Sequence, residues 1–276
     1  ASRHTGHLVD NKTSTFQGFS HGSDAGDIDN DGDIDVITTD FTGVICHYND
    51  GKGNFKSKKC ITRKKGAFFV ASLADFNNDG ILDIVAGNAH FNAEYRKQSP
   101  QGNVVKETKN SHFIALYYGN TKGKFKQAHI LEPARVGNFV FSEVPEMTAF
   151  DFDNDGDLDL VSSTVGMYYS GSAWVAYENV NGKLKIADTN IIIPPLDEWQ
   201  DAKIWGSMVQ SESNQWNTYC SKSILIDVNN DGLMDLLCDN AVQHHRMTNH
   251  LLINKGNMQF DFATPEQVSN LVEWLD

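Results

Sequence analysis

The sequence lacks the features that mark several common classes of protein. No apolar run approaches the length of a membrane span, so we do not expect a transmembrane helix. There is no basic stripe with interleaved aromatic residues, so nucleic acid is not an expected partner. We find no nucleophile elbow, no zinc-ligand spacing and no phosphate-binding glycine loop. The usual hydrolase, zinc and nucleotide sites are therefore not indicated.

Cysteine is scarce, with four in 276 residues. Cys46 and Cys60 flank a predicted hairpin turn near Gly53, and Cys220 and Cys238 lie on either side of an acidic loop. Both placements suit disulfides within one sheet, although four unpaired thiols remain an alternative. No signal peptide is visible, but a mature chain could have lost one. We expect a secreted or extracellular protein, with the periplasm or the cell surface as variants of that expectation.

One acidic pattern is present four times. Each copy reads D-x-[DN]-x-D-G-x-x-D and runs into Val, Ile or Leu, at 27–37, 75–85, 151–161 and 227–237. Carboxylate or amide oxygens at loop positions 1, 3, 5 and 9, with a backbone carbonyl at position 7, are the ligands that Ca²⁺ prefers, and the glycine permits the sharp turn. The pattern predicts one structural calcium ion in each loop.

The main alternative for these loops is a helical calcium motif, which requires an acid at position 12 and a following helix. Position 12 is Thr38, Ala86, Ser162 or Cys238. The residues that follow each loop favour a strand. We therefore predict strand–loop–strand hairpins.

The net charge of −13 is concentrated in these loops, which hold 16 (5 + 3 + 5 + 3) of the 36 acidic residues against 23 Lys and Arg in the whole chain. Four bound Ca²⁺ would leave about −5. The acidity is therefore interpreted as belonging to ion sites.

A second pattern follows each loop, an apolar strand and then a turn of Asn or Asp with Gly, at 44–55, 114–125, 174–184 and 250–260. Such turns between alternating strands predict hairpins. One unit then has four antiparallel strands, which is typical of a propeller blade. We predict an all-β chain, a β-propeller of four-stranded antiparallel blades with calcium loops.

We predict a single propeller domain over 1–276. Four full repeats are expected at about 20–63, 64–132, 140–193 and 218–263. Segments 1–19 and 264–276 resemble the two halves of a unit and would together form a split fifth blade. The alternative is that both ends belong to a longer propeller.

These motifs resemble the FG-GAP/VCBS repeat family, whose calcium-binding β-propellers include integrin-like and propeller-lectin-like members. The resemblance implies fold and calcium more strongly than function, since the family spans adhesion, sugar binding and some polysaccharide cleavage. The implied metal ligands are Asp27, Asp29, Asp31, Asp33 and Asp35; Asp75, Asn77, Asp79, Ile81 and Asp83; Asp151, Asp153, Asp155, Asp157 and Asp159; and Asp227, Asn229, Asp231, Leu233 and Asp235. Of these, positions 33, 81, 157 and 233 would contribute backbone oxygens.

Most of the remaining sequence falls in insertions at 91–112, 164–174, 196–219 and 240–250, which we expect on the face opposite the calcium loops. Aromatic rings stack on sugar rings, and an Arg binds a uronate carboxylate. The predicted ligand-binding residues are Trp199, Trp205, Trp216, Tyr168, Tyr169 and Arg246. The alternative is that the tryptophans pack the insertions onto the disc.

The sequence thus predicts a secreted, calcium-stabilised, lectin-like propeller that binds a glycan or polysaccharide through this face. A polysaccharide lyase or hydrolase is one alternative, because an Arg can neutralise a uronate while a Tyr or His moves a proton. Its candidate catalytic residues are His244, His245, Arg246, Tyr168 and Tyr169. An adhesion module for a protein partner is the other. The insertions are unequal, which favours one composite site and suits an enzyme or a single-ligand binder.

Overall fold

The computed structural model describes residues 22–40, 42–62, 67–89, 114–131, 134–136, 139–140, 143–166, 170–186, 190–192, 220–240, 251–264 and 266–267. Within these residues, no helix is long and apolar enough to cross a bilayer. The main elements are β-strands arranged in four large sheets.

The four sheets are called blades 1 to 4 in chain order. Blade 1 contains β1 (Ser23–Gly26), β2 (Asp35–Asp40), β3 (Gly43–Asn49) and β4 (Phe55–Thr62). Blade 2 contains β5 (Ala67–Ala74), β6 (Asp83–Ala89), β7 (Ile114–Tyr118) and β8 (Lys126–Leu131). The short strands β9 (Arg135–Val136) and β10 (Phe139–Val140) pair with each other. Blade 3 contains β11 (Glu143–Phe150), β12 (Asp159–Gly166), β13 (Ser170–Val180) and β14 (Lys183–Lys185), with β15 (Ile191–Ile192) beside β13. Blade 4 contains β16 (Cys220–Ile226), β17 (Asp235–Asn240), β18 (Leu251–Asn254) and β19 (Phe260–Phe262).

Each blade is an antiparallel meander whose strands pair in chain order. The first strand of each blade contacts the first strand of the next, so β1, β5, β11 and β16 form the inner edges of neighbouring sheets. Sheets that stand side by side along their first strands have the architecture of propeller blades. The predicted all-β fold of four-stranded antiparallel blades is confirmed for the described part of the chain, and the number of blades stays a prediction.

The cores lie between neighbouring blades. One buried cluster joins blades 2 and 3 through Phe76 and Leu116 on one side and Leu160 and Tyr177 on the other. Equivalent clusters lie between blades 1 and 2 and between blades 3 and 4. Because strand side chains alternate between faces, a blade in the middle of the arc contributes to two cores at once. Each buried large apolar side chain stabilises the arc by about 1.5–3 kcal/mol.

Hydrogen bonds also join the inner strands, at the residue three places before the acidic loop in blades 1 and 3. The amide of Leu73 in blade 2 donates to Oδ2 of Asp24 in blade 1 at 2.8 Å. The hydroxyl of Thr148 in blade 3 bonds to that of Ser223 in blade 4. In blade 4 the equivalent residue is Ile224, which is 52% exposed. This is the edge on which the predicted split blade would pack; of the segments predicted to form it, 1–19 and 264–276, only residues 264, 266 and 267 are described.

Both predicted disulfides are present. Cys46 on β3 pairs with Cys60 on β4, with Cα atoms 5.7 Å apart. Cys220 on β16 pairs with Cys238 on β17, with Cα atoms 5.4 Å apart. Each closes a loop of fewer than 20 residues and is expected to stabilise the fold by about 3 kcal/mol. The alternative of unpaired thiols is wrong.

One predicted insertion, 164–174, is mostly strand. β12 continues to Gly166 and β13 begins at Ser170, and the two strands pair along this stretch. Trp174 is only 5% exposed and packs in the core between blades 3 and 4. The small residues of this stretch hid the strand pattern in the sequence. Only 167–169 connect the two strands.

Candidate functional site

The four acidic loops, called loop 1 (27–35), loop 2 (75–83), loop 3 (151–159) and loop 4 (227–235), share one backbone conformation. An asparagine at position 4 and a glycine at position 6 have positive φ in every loop, from 55° to 62° and from 79° to 97° respectively. Asparagine tolerates the left-handed region and glycine adopts it without strain. The two residues together fold each loop back on itself, so that the alternate side chains converge.

The aspartate at position 1 organises the turn in all four loops. In loop 1, the Oδ1 and Oδ2 atoms of Asp27 accept hydrogen bonds from the amides of Asp31, at 3.1 Å, and Gly32, at 2.9 Å. Asp75, Asp151 and Asp227 accept the same pair of bonds at 2.7–3.2 Å. A carboxylate that accepts backbone N–H bonds remains available to a cation through its other lone pairs.

The aspartate at position 9 has a structural role that the sequence analysis missed. Its side chain is at most 1% exposed in every loop. One oxygen accepts the position 2 amide, and the other accepts the amide at the end of the third strand, at 2.8–3.1 Å. The four residues are Asp35, Asp83, Asp159 and Asp235. Position 9 therefore ties each loop to the body of its blade.

Two asparagines extend this network to the neighbouring blade. The Nδ2 of Asn179 in blade 3 donates to the carbonyl of Phe76 in loop 2 at 2.8 Å. The Nδ2 of Asn254 in blade 4 donates to the carbonyl of Phe152 in loop 3 at 2.9 Å. Both residues are buried. They appear in the sequence only as turn residues, because their partners lie about a hundred positions away.

Several loop carboxylates come close enough to share one cation. Oxygens of Asp27, Asp29 and Asp31 lie within 4.8 Å of one another, and so do oxygens of Asp151, Asp153 and Asp159. Two oxygens bound to one Ca²⁺ at 2.3–2.6 Å can be at most about 5 Å apart. In loop 3 the group contains positions 1, 3 and 9, three of the four predicted side-chain ligands.

Unsatisfied oxygens in the same loops also fit a cation. Oδ1 of Asp29 and Oδ1 of Asp157 are buried and have no hydrogen-bond partner. A buried carboxylate oxygen without a donor is destabilising unless a positive charge compensates it. At position 7, the predicted source of a backbone oxygen, each amide donates to the position 5 carboxylate at 2.9–3.0 Å. The donor set suits a hard divalent cation.

The electrostatics of the loops point the same way. Burial, followed by repulsion from neighbouring carboxylates, raises the pKa of Asp157 to about 6. Burial also raises the pKa of Asp159 to about 7 and that of Asp83 to about 6, even though each accepts two backbone hydrogen bonds. A divalent ion among these groups would favour their charged forms.

The predicted sugar-binding and catalytic residues lie outside the described residues. They are Tyr168, Tyr169, Trp199, Trp205, Trp216, His244, His245 and Arg246. The strands that flank them are described. β12 and β13 lead into and out of 167–169, and β17 and β18 do the same for 241–250. These connections leave the blades at the end opposite the acidic loops, as does the approach to β16.

Comparison with known proteins supports the repeat family. Residues 6–86, which include loops 1 and 2, match the family model described as an FG-GAP-like repeat, so this part of the chain carries the FG-GAP-like pattern that its loops predict. No curated protein matches the sequence significantly.

Two solved structures are similar to the chain at low TM-scores. An Agrocybe aegerita lectin that recognises non-reducing terminal N-acetylglucosamine is 18% identical, with a TM-score of 0.41 over 87% of this chain and 50% of its own. The exotype rhamnogalacturonan lyase YesX is 14% identical, with a TM-score of 0.38 over 87% of this chain and 48% of its own. The chain therefore spans about half the length of each.

Proposed function

We propose that the chain is a secreted, calcium-stabilised propeller that binds carbohydrate through the face opposite its acidic loops. The main support is that the two ends of the blades carry different kinds of connection. The acidic loops and the tight third-to-fourth turns occupy one end, and the long connections 90–113, 193–219 and 241–250 join strands at the other. Long connections on a rigid scaffold are where ligand binding is usually found.

Calcium is the first part of the proposal. The ligands are the side chains at positions 1, 3, 5 and 9 of each loop, with the position 7 carbonyl. Its support is the convergence of three carboxylates in loops 1 and 3 and the two buried oxygens without donors. A bound ion would offset the mutual repulsion of these groups and hold the conformation that positions 4 and 6 set. Its role is structural.

Carbohydrate binding is the second part. By sequence, Trp199, Trp205 and Trp216 fall in the connection 193–219, Tyr168 and Tyr169 fall in 167–169, and Arg246 falls in 241–250. Rings of this kind bind the apolar faces of sugars, and Arg pairs with a carboxylate. Extracellular placement is supported by the two disulfides, which persist in oxidising compartments.

The test is a glycan screen of the calcium-loaded protein that records binding and absorbance at about 235 nm, where unsaturated uronate products absorb. Binding without product is the expected result. Trp199→Ala, Trp205→Ala or Trp216→Ala should then weaken it. Ile34→Ala is the matched control, because Ile34 is a large apolar side chain, 58% exposed, in an acidic loop at the opposite end.

Two other outcomes contradict the lectin-like proposal. Product formation would make the protein a lyase and direct mutation to His244, His245 and Arg246. Absence of both signals across neutral and uronate glycans would favour an adhesion module for a protein partner. Equal loss in the tryptophan variants and in the Ile34 control would show that the assay reports stability and not the binding face.

A further inference from the structure

The outer edges of blades 1 to 3 are basic although the protein is acidic. The outermost strands β4, β8 and β14 contain six lysines and no acidic residue, within a chain of net charge −13. The six are Lys56, Lys58, Lys59, Lys126, Lys183 and Lys185, and all are exposed. Only Lys59 has a salt bridge, to Asp40 at 2.9 Å, among the described residues. Lysines therefore line the rim, while the carboxylates of loops 1 and 2 lie close to its tyrosines Tyr48 and Tyr118.

Two parts of this rim are built in the same way. Tyr48 on β3 lies directly opposite Lys56 on β4, and Tyr118 on β7 lies directly opposite Lys126 on β8. Residues paired in this way point to the same side of the sheet, with Cβ atoms about 5 Å apart. In both blades that side faces the next blade. A tyrosine and a lysine thus stand together at two successive seams.

Each tyrosine is fixed by the next blade. The hydroxyl of Tyr48 donates to the carbonyl of Gly123 at 2.7 Å, and that of Tyr118 donates to the carbonyl of Gly182. A Cβ added at Gly123 would lie 2.8 Å from the Tyr48 ring, so only glycine permits this approach. Both glycines have positive φ and sit in tight third-to-fourth turns.

The turns bring further positive charge to the same places. Exposed Lys122 and Lys124 flank Gly123, and exposed Lys183 follows Gly182. We call the group Tyr48, Lys56 and 122–124 rim notch 1. We call the group Tyr118, Lys126 and 182–183 rim notch 2. Each notch has a half-buried tyrosine, a lysine from its own edge strand and at least one lysine from the neighbouring blade.

The remaining seam differs. The residue equivalent to the two tyrosines is Glu178 in blade 3 and Ile253 in blade 4, and the residue opposite Ile253 is Asp261. The notches are therefore a local feature of the first three blades. Lysines on exposed edge strands also protect sheets against aggregation, which is the simpler explanation of the charge. Protection of an edge does not require a tyrosine that lies opposite a lysine and is bonded to a lysine-containing turn of the next blade.

We propose that rim notches 1 and 2 bind acidic sugar units of an anionic polysaccharide. The lysines donate to carboxylate or sulfate oxygens, and the exposed edge of the tyrosine contacts the sugar ring. Two equivalent notches on successive blades allow one polymer to occupy both, so the second contact forms at a high effective concentration. The notches lie at the acidic-loop end of the blades, away from the face proposed to bind carbohydrate, so either proposal can fail without the other.

The test uses polygalacturonate and heparin as probes, in calcium-containing buffer at low salt, with dextran as the neutral control. Calcium is included because the carboxylates of loops 1 and 2 lie beside the notches. Lys56→Gln/Lys126→Gln removes one lysine from each notch. Lys222→Gln/Lys255→Gln is the matched control, with the same charge change on exposed lysines of blade 4. Thermal unfolding checks that both variants are folded.

We expect wild type to bind a polyanionic glycan in a salt-dependent manner, and the notch variant to bind at least about fivefold more weakly, against less than about twofold for the control. Tyr118→Phe, which keeps the ring and removes the bond to Gly182, should weaken binding less than the double variant. Equal losses in both double variants would show an effect of net charge alone and overturn the proposal. No binding by wild type would also overturn it, as would equal binding of polyglutamate, which carries the charge without the sugar.

Discussion

Loops 1 and 3 differ from loops 2 and 4 in composition but not in backbone. Loops 1 and 3 have aspartate at positions 1, 3, 5, 7 and 9, whereas loops 2 and 4 have asparagine at position 3 and Ile or Leu at position 7. All four have the same positive φ values at positions 4 and 6 and the same hydrogen bonds to positions 1 and 9. The loop conformation is therefore set by positions 1, 4, 6 and 9.

Positions 3 and 7, which vary between the loops, decide how well each loop satisfies its carboxylates when no cation is bound. In loops 2 and 4, the Nδ2 of Asn77 donates to Asp79 and that of Asn229 donates to Asp231, at 3.1 and 2.8 Å. An aspartate cannot make this bond. In loop 1, Asp29 instead has a buried oxygen without a partner, and burial with repulsion from its neighbours raises its pKa. In loops 2 and 4 the asparagine side chain satisfies one carboxylate without a cation. Loops 1 and 3 lack this donor and therefore depend more on a bound cation.

The largest expected effect is that of removing divalent cations from the whole protein. Each site saturated at a hundredfold excess over Kd stabilises the fold by about 2.7 kcal/mol. EDTA should therefore lower Tm by about 10 °C or more, and calcium should restore it. Magnesium is the control ion, since it demands a tighter octahedral shell. An unchanged melting curve after confirmed metal removal would sink the calcium proposal for both kinds of loop.

The next effect tests what the two kinds of loop share. Asp159→Ala and Asp235→Ala should each cost about 2–4 kcal/mol of unfolding free energy, because two backbone amides lose a charged acceptor. The expected losses are similar, since position 9 has the same partners in loop 3 and loop 4. Urea denaturation measures them. Exposed Asp261→Ala is the control and should change stability by less than about 0.5 kcal/mol. A loss of stability that appears with calcium and disappears in EDTA would show that position 9 acts only through the metal.

Glu146 lies outside the acidic loops, and its pKa is also raised. It therefore tests how burial alone affects the stability of the protein, without a contribution from ion binding. Burial raises its pKa from 4.5 to about 7, against bonds from the amide and hydroxyl of Ser223. Between these pH values the folded state holds more protons than the unfolded state, so unfolding free energy falls as pH rises.

Glu146→Gln should therefore flatten this part of the stability profile and stabilise the protein by about 1–2 kcal/mol at pH 8. The glutamine oxygen can still accept both bonds from Ser223. The effect should be the same with calcium or EDTA. If the substitution leaves the pH dependence of unfolding free energy unchanged, another group and not Glu146 takes up the proton in this pH range.

The smallest effect is a reciprocal exchange at position 3. In EDTA, Asp29→Asn should stabilise loop 1 by about 0.5–1 kcal/mol, and Asn77→Asp should destabilise loop 2 by a similar amount. The signs differ because one change removes a repulsive charge and the other adds one. In calcium titrations, Asp29→Asn should weaken binding and Asn77→Asp should strengthen it. Changes of the same sign in EDTA would mean that position 3 acts through packing and not through charge.

The sequence predicted the loops well because their determinants are local. Asn30, Gly32 and the aspartates that converge around them lie within nine residues, so spacing alone indicates the turn and its donors. The same holds for the disulfide between Cys46 and Cys60, which links adjacent strands of one hairpin. The prediction of 164–174 as an insertion was wrong. The small residues in this stretch do not show the alternation of apolar and polar residues that marks a strand.

The interblade contacts could not be predicted in this way. Asn179 and Asn254 reach carbonyls of the preceding blade, and Tyr48 and Tyr118 fix glycines of the following one. Each of these bonds joins residues more than 60 positions apart. The rim notches depend on the same long-range pairs.

By itself, the sequence determined the repeat, the strand–loop–strand hairpins, the acidic residues of the loops and the placement of the cysteines on adjacent strands, because these are encoded by residue type at short, fixed spacing. Only the tertiary structure decided that position 9 ties each loop to its blade, that asparagines join neighbouring blades, and that two rim tyrosines bond to glycine turns of the next blade. Those contacts depend on how neighbouring blades pack, and this packing is set by side chains buried from both sheets at once.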